Sequence, residues 1–123
     1  MNNLTLNDWA AYAEISSTGL WKLEMENGIA VRMYMDAVMQ SLMGAPDDLS
    51  PEEYCDFFTE HIYPDDMQLV EKYGIELLAG GSEVEYRYIH PDTGLMWVRC
   101  TGKRVATRGN IVTLMGAPSE ADG

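Results

Sequence analysis

The sequence predicts an α+β domain in which a five-stranded antiparallel sheet has helices covering one face and an N-terminal helix outside it. Two observations lead to this fold class. Segments with strand-like alternation occur twice before and three times after a central region of helical periodicity. Signals for turns separate all of these segments. The apolar face of such a sheet must be covered by helices. We therefore expect a concave cavity between the sheet and the helices.

Length and composition fit one such domain. The chain has 123 residues, of which 46% are apolar and 10% aromatic, enough for one core. We expect an N-terminal amphipathic helix over residues 1–18 and the main domain over residues 19–122. Two cysteines are too few for a disulfide framework, and neither an 18-residue apolar run nor a basic N-terminal region is present. We therefore expect a cytoplasmic protein without membrane insertion by this segment.

The charge of the chain limits its partners. Twenty acidic and eight basic residues give a formal net charge of −12. Such a field repels phosphate backbones and anionic lipid, so no nucleic-acid partner is expected.

The first three elements follow in order. Leu6, Trp9, Ala10 and Ala13 fall on one face of a short helix that ends near Gly19. A half-buried strand follows, in which Trp21, Leu23 and Met25 alternate with charged residues. Asn27-Gly28 then predicts a tight hairpin turn, with residues 30–35 as the antiparallel partner.

Three helices are predicted next. The first covers residues 36–43 and closes at Gly44, and the second opens at Ser50-Pro51-Glu52-Glu53 with an N-cap and acidic residues in its first turn. The second helix is expected to turn Tyr54, Phe57 and Phe58 inward. Pro64-Asp65-Asp66 starts the third, with Asp65 and Asp66 as N-terminal acids. Its apolar positions are Leu69, Val70, Tyr73, Leu77 and Leu78, and it ends at Gly80-Gly81.

Strands are predicted over residues 83–89, 95–107 and 111–116. Alternation places Val84, Tyr86 and Tyr88 on one face of the first of these strands and Glu85 and Arg87 on the other. In the next strand Met96, Val98 and Cys100 lie opposite to Trp97 and Arg99. Charge and cation–π contacts across the polar face are expected to contribute about 0.5–1 kcal/mol each.

The order of segments and five short motifs resemble the PAS superfamily, especially the subfamily common in bacterial sensor histidine kinases and diguanylate cyclases. The motifs are Gly19-Leu20-Trp21, Leu42-Met43-Gly44, Ile62-Tyr63-Pro64-Asp65-Asp66, Glu85-Tyr86-Arg87 with Trp97-Val98 ten residues beyond the arginine, and Gly116. The resemblance covers roughly residues 18–122. The chain departs from the family in having Tyr63 where the family usually has histidine, and Glu120-Ala121-Asp122 where it usually has Asp-Ile-Thr.

This resemblance implies a signal-input domain that controls an effector domain in a larger chain and is not itself an enzyme. It also implies which strand face turns toward the helices: the face that carries Val84, Tyr86, Tyr88, Met96, Val98 and Cys100. The candidate pocket residues are Tyr73, Tyr86, Tyr88, Met96, Val98 and Cys100. The hydroxyls of Tyr86 and Tyr88 are suited to orienting a small molecule, but nine methionines are equally suited to filling the cavity.

No cofactor or metal is expected. Photosensory relatives carry an Asn-Cys-Arg-Phe-Leu-Gln run, whereas Cys55 lies in Tyr54-Cys55-Asp56-Phe57-Phe58, which argues against flavin adduct chemistry. Haem-binding relatives carry a histidine on the long helix, and residues 65–79 contain none. His61 and His90 are interpreted as surface or capping residues.

A homodimer is expected, with Leu6, Trp9, Ala13, Trp97 and Arg99 at its interface. A helix as short as the first is marginal in water and must pack on something, either its own outer sheet face or that of a second copy. Two other functions stay open: a ligand-free dimerisation or scaffold module, and a small cone-shaped α+β enzyme, which would need an inward carboxylate.

Overall fold

The computed structural model describes residues 19–79 and 81–121, which form one antiparallel sheet with three α-helices. The strands are β1 (Trp21–Glu26), β2 (Ile29–Met35), β3 (Gly81–His90), β4 (Gly94–Arg108) and β5 (Ile111–Ala121). The helices are α1 (Ala37–Met43), α2 (Pro51–His61) and α3 (Met67–Leu78), and a 3₁₀ turn covers Pro64–Asp66. The strand order is β2-β1-β5-β4-β3. The predicted helix over residues 1–18 lies outside the described residues.

The turn between β1 and β2 follows the predicted chemistry. Asn27 and Gly28 both have positive φ, 53° and 81°, as a two-residue type I′ turn requires. Glu26 therefore pairs with Ile29, and a register shift between Glu24 and Met25 places Trp21 opposite Met35. β2 begins at Ile29, one residue earlier than predicted.

The first two helices are capped as their sequences indicate. The Asp36 carboxylate accepts hydrogen bonds from the backbone N–H groups of Met39 (2.8 Å) and Leu20 (3.1 Å), which ties α1 to the start of β1. Ser50 and Glu53 form a reciprocal capping box at 3.2 and 2.9 Å. Gly44 ends α1 with a φ of 70°.

Two helix expectations need correction. In α2 Tyr54 is buried and Phe58 packs against the core, both as expected. Phe57 is instead half-buried and stacks on His61. In the third helix Leu69 is exposed, because α3 begins at Met67, after the separate 3₁₀ turn, and turns Tyr73 and Leu77 inward instead. The predicted end at Gly80 lies outside the described residues, and the last helical residue is Leu78.

The last strand is longer than its apolar pattern suggested. β5 continues five residues past Gly116 to Ala121 because it keeps pairing with β4, from Gly116 opposite Gly102 to Ala121 opposite Trp97. Pro118 in this extension is fully buried. The end of β5 therefore lies beside the beginning of β4.

The core lies between the inner face of the sheet and the helices. Five of its members are methionines, and Tyr88, Val98 and Leu114 have no exposed surface. The buried methionines are Met25, Met33, Met35, Met39 and Met43. Their unbranched side chains fill irregular space and can change rotamer at little cost.

Candidate functional site

The predicted inward face of β3 and β4 is confirmed for five of its six residues. Val84, Tyr86 and Tyr88 are buried, as are Val98 and Cys100 on the neighbouring strand, whereas Met96 is half-buried. In the register of the sheet Val84 lies opposite Cys100 and Tyr86 opposite Val98.

A small apolar cavity of about 60 Å³ lies between this face and α3. Three of the predicted pocket residues, Tyr73, Tyr86 and Cys100, line it. The other lining residues are Trp21, Leu23, Met33, Met39, Phe58, Val70, Gly74 and Leu77. Taken together, all the lining residues belong to four strands and three helices, so a change in the cavity reaches most of the described domain.

Trp21 forms the sheet side of the cavity. Its indole Nε1–H donates to the Sγ of Cys100 at 3.0 Å, and the Tyr73 hydroxyl donates to the backbone carbonyl of Cys100 at 3.2 Å. The indole lies across Gly116, where an added Cβ would overlap both the ring and the Thr101 carbonyl oxygen. The glycine of the last-strand motif is therefore needed to admit Trp21.

Burial keeps the ionisable cavity groups neutral. It raises the pKa of the Cys100 thiol to about 12 and the pKa of the Tyr86 hydroxyl well above its usual value. Burial also raises the pKa of Tyr73. A protonated thiol is a poor nucleophile, so Cys100 acts here as an apolar wall and hydrogen-bond acceptor.

Tyr88, Met96 and Val98 line neither this cavity nor the groove beside it. The Tyr88 hydroxyl donates to the Met43 carbonyl at 2.8 Å, and its ring packs against Phe58 and His61. Its polar end thus joins the sheet to α1, and the role predicted for it in orienting a ligand is not supported by this geometry.

A larger groove of about 480 Å³ opens to the surface between α2, α3 and the β1–β2 hairpin. Five residues line both the groove and the small cavity: Leu23, Met33, Phe58, Val70 and Gly74. Sequence reasoning missed this groove. The available signal was Gly74, a glycine inside an otherwise good helical pattern.

A polar corner joins the start of α3 to the outer face of the sheet. Arg87 pairs with Asp66 through Nε–Oδ2 (2.9 Å) and Nη2–Oδ1 (2.7 Å) contacts, and its backbone N–H donates to Oδ2 at 2.8 Å. The guanidinium carbon lies 4.2 Å from the centre of the Tyr63 ring and 5.4 Å from that of Trp97. The hydrogen bonds from Arg87 lower the pKa of Asp66.

This corner corrects one expectation. Asp65 and Asp66 lie at the start of the helical segment as predicted, and the Asp66 carboxylate is occupied by Arg87. Trp97 is half-buried and lies beside Arg87, so it is not the exposed surface tryptophan that alternation alone suggested. The motif that contains Asp66 and the motif that contains Arg87 were both visible in the sequence, but only the fold shows that they are in contact.

The predicted dimer interface is divided between described and undescribed residues. On the outer face Arg99 pairs with Glu85 directly opposite it, at 2.9 Å, and both side chains are largely exposed. Leu6, Trp9 and Ala13 lie outside the described residues. The homodimer stays a prediction.

The two histidines have local structural partners. His61 Nδ1 lies 2.7 Å from the Phe57 carbonyl oxygen, and His90 Nδ1 accepts from the backbone N–H groups of Asp92 and Thr93. Within residues 19–79 and 81–121, no group of three His, Cys, Asp or Glu residues is placed to hold a metal. No helix in that part of the chain is both long and apolar enough to cross a bilayer.

A five-stranded antiparallel sheet whose helices cover an apolar cavity defines a class of small α+β domains. The chain belongs to the PAS fold family, whose model matches residues 32–117. The family and the fold predicted from the sequence are thereby confirmed. A search of the curated proteins found no match.

Three similar solved structures include parts of a histidine kinase and of a diguanylate cyclase. A sensory box histidine kinase/response regulator from Burkholderia thailandensis is 24% identical over 92% of this chain and 83% of that one, with a TM-score of 0.68. The N-terminal domain of a diguanylate cyclase with PAS/PAC sensor from Marinobacter aquaeolei is 20% identical over 84% and 94%, with a TM-score of 0.65. A PAS domain from Colwellia psychrerythraea is 13% identical over 95% and 98%, with a TM-score of 0.68.

Proposed function

We propose that this domain is a signal-input module, in which occupancy of the cavity changes the packing of α3 and β1 and so controls an effector domain. The observation that carries the proposal is the cavity itself, with walls from both layers and a groove to the surface. The kinase and cyclase origin of similar structures supports the same role. A cytoplasmic location stays a prediction.

The cavity walls favour binding over catalysis. They consist of aliphatic, aromatic and sulfur-bearing side chains together with Gly74. The raised pKa values of Cys100, Tyr73 and Tyr86 leave no wall group charged near neutral pH. A small enzyme of this shape would need a general base among these residues.

Trp21 supplies a route from the cavity to the end of the domain. Its indole touches the cavity on one side and lies across Gly116 of β5 on the other. From Gly116, β5 continues beside β4 to Ala121. A molecule that displaces the indole would therefore press on the strand that leads toward a following effector domain. Only a ligand with different affinity for the two arrangements shifts their populations.

Native mass spectrometry of freshly purified protein tests the proposal. A retained mass that is lost on mild unfolding would support ligand sensing. Tryptophan emission recorded before and after removal of that mass should shift, because Trp21 lines the cavity. Protein that carries no extra mass and shows no response to a broad compound library would contradict the proposal.

A second candidate is a ligand-free dimerisation module, favoured by the small cavity volume and by exposed apolar side chains on the outer face. Met115 and Val105 are 38% and 43% exposed there, close to the half-buried Leu20. We propose the predicted dimer surface, formed by Leu6, Trp9, Ala13, Trp97 and Arg99, as its interface. Sedimentation velocity at about 100 μM, where a micromolar interface is mostly occupied, tests this. A monomeric wild type would exclude it, and Trp9→Glu should otherwise favour the monomer.

A further inference from the structure

We propose that the cavity and the groove form one binding site for an uncharged apolar molecule, and that Gly74 keeps the passage between them open. This inference rests on the proposed input function and adds the chemical class of the ligand and its route of entry.

The two spaces are separated by a single layer of side chains. Leu23, Met33, Phe58 and Val70 each face both of them, together with the backbone at Gly74. The cavity alone, at about 60 Å³, has room for about two water molecules. The groove, at about 480 Å³, falls in the size range of small-molecule sites. A ligand larger than a few atoms therefore needs the volume of the groove as well as that of the cavity.

Gly74 is unusual because the backbone does not require glycine there. The residue lies inside α3 and its φ is not positive. An added Cβ would have only Met25 Cε as a neighbour, at 3.9 Å. Glycine is among the least favourable residues in a helix interior. What it contributes at this position is empty space at the boundary between groove and cavity.

The charges around the site select against anions. Among residues 19–79 and 81–121, Glu71 is the one acidic residue that lines the groove, and no lysine, arginine or histidine lines either space. An anionic ligand would meet this carboxylate and then enter an apolar space without a counter-charge, which is costly. The net charge of −12 also disfavours the binding of anions.

The mouth of the groove is apolar. Ile29, in the hairpin, is 67% exposed, and Ile75, on α3, is 63% exposed, and both line the groove. Two exposed isoleucines on opposite elements lose contact with water when an apolar molecule lies between them. Met25 and Met67, also in the lining, can adapt to its shape.

Two fluorescent probes with the same ring system separate charge from shape. N-phenyl-1-naphthylamine is neutral, and 8-anilinonaphthalene-1-sulfonate differs from it by one sulfonate. The full chain should bind the neutral probe with 1:1 stoichiometry and the sulfonate at least about tenfold more weakly, because burying the anion is unfavourable. Titrations in about 0.5 M salt remove the effect of distant surface charge. No binding of the neutral probe, or equal binding of both, would overturn the inference.

Variants of α3 test the passage. Gly74→Leu should lower affinity for the neutral probe at least about tenfold without lowering Tm, because leucine is a good helix former. Gln68→Leu adds the same side chain at an exposed position outside the groove and should leave the affinity unchanged. If Gly74→Leu does not fold, Gly74→Ala should still fold. Its affinity for the neutral probe should be about threefold lower, because one added methyl reduces the free space.

The outcomes distinguish this inference from the input function. Unchanged probe affinity in the Gly74 variants would place the probe elsewhere and overturn the inference. A charged metabolite retained in native mass spectra would also overturn it, while leaving the proposed signal-input function intact.

Discussion

Gly74 lines the cavity, whereas Gly116 lies behind the Trp21 indole that forms its sheet side, and the surroundings of these two glycines differ greatly. At Gly116, on the sheet side, the space of a side chain is already filled by the Trp21 indole. At Gly74, on the helix side, the nearest atom to an added Cβ is 3.9 Å away and belongs to a flexible methionine. The sheet wall is closely packed, whereas the helix wall is open and adaptable. We therefore expect a ligand to rearrange side chains on the helix side of the cavity. The closely packed residues on the sheet side should move together if they move at all.

The polar corner limits where α3 can move. Asp66, immediately before α3, is held by three hydrogen bonds from Arg87, and Tyr63 packs on the guanidinium. The other end of the helix has the buried Leu77 as its anchor. Between these points α3 carries Val70, Gly74 and the exposed Ile75 along the groove. The start of α3 is thus held by polar contacts, and its middle is held by the buried Tyr73, whose hydroxyl donates to the Cys100 carbonyl.

The largest effect is expected from filling the closely packed wall. Gly116→Ala should lower the free energy of unfolding by about 2–3 kcal/mol, because the new methyl forces the indole or β5 to move. Urea denaturation followed by tryptophan fluorescence measures this. Gly102→Ala is the matched control: its Cβ would lie 3.0 Å from the same indole and should cost less. Equal stability of wild type and Gly116→Ala would show that the sheet wall is also adaptable.

Breaking the polar corner should have the next largest effect. Arg87→Ala removes both guanidinium contacts from the Asp66 carboxylate, whose side chain is only 11% exposed, and leaves it the backbone N–H alone. Tm should therefore fall. The pH dependence should change as well. The folded-state pKa of Asp66 is lowered, so the pair stabilises fully above the unfolded value of about 3.9 and loses this contribution as pH falls through the folded-state pKa.

Urea midpoints between about pH 5 and about pH 3 measure that change. Wild type should lose more stability over this interval than Arg87→Ala. Identical pH profiles would mean that the Asp66–Arg87 contact does not operate in solution.

Gly74→Ala should change stability in the opposite direction from Gly116→Ala. Because alanine is favoured over glycine inside a helix and the site has room for it, we expect a gain of about 1 kcal/mol. Thermal unfolding by circular dichroism gives this value directly. A loss of stability would mean that α3 packs more closely on Met25 than the structure indicates.

The smallest effect is expected on the exposed outer face. Glu85→Gln removes the charge that pairs with Arg99, and exposed pairs of this kind contribute less than about 1 kcal/mol. A change above that limit would suggest that the outer face is covered in solution, as the dimer hypothesis requires. Measurements at low and high protein concentration would then separate the two explanations.

Much of the fold was predictable because its signals are local. The positive φ of Asn27 and Gly28, the caps of α1 and α2, and the inward face of β3 depend on residues close together in the chain. The site was predicted only in part. Tyr73, Tyr86 and Cys100 lie at the cavity, but Tyr88 uses its hydroxyl on Met43. Alternation along a strand predicts which face a side chain lies on, but it does not predict the distant backbone carbonyl to which that side chain donates a hydrogen bond.

The sequence by itself determined the order of the elements, the faces of the strands and the family, since these follow from short-range periodicity, turn chemistry and motif spacing. The tertiary structure alone decided which distant residues meet. Arg87 finds Asp66 twenty-one positions away, and Trp21 reaches Cys100 across seventy-nine. Such contacts depend on strand order and on the helix crossing the sheet, which no local pattern contains. The length of β5 and the groove beside Gly74 were decided in the same way, by pairing and by packing between layers.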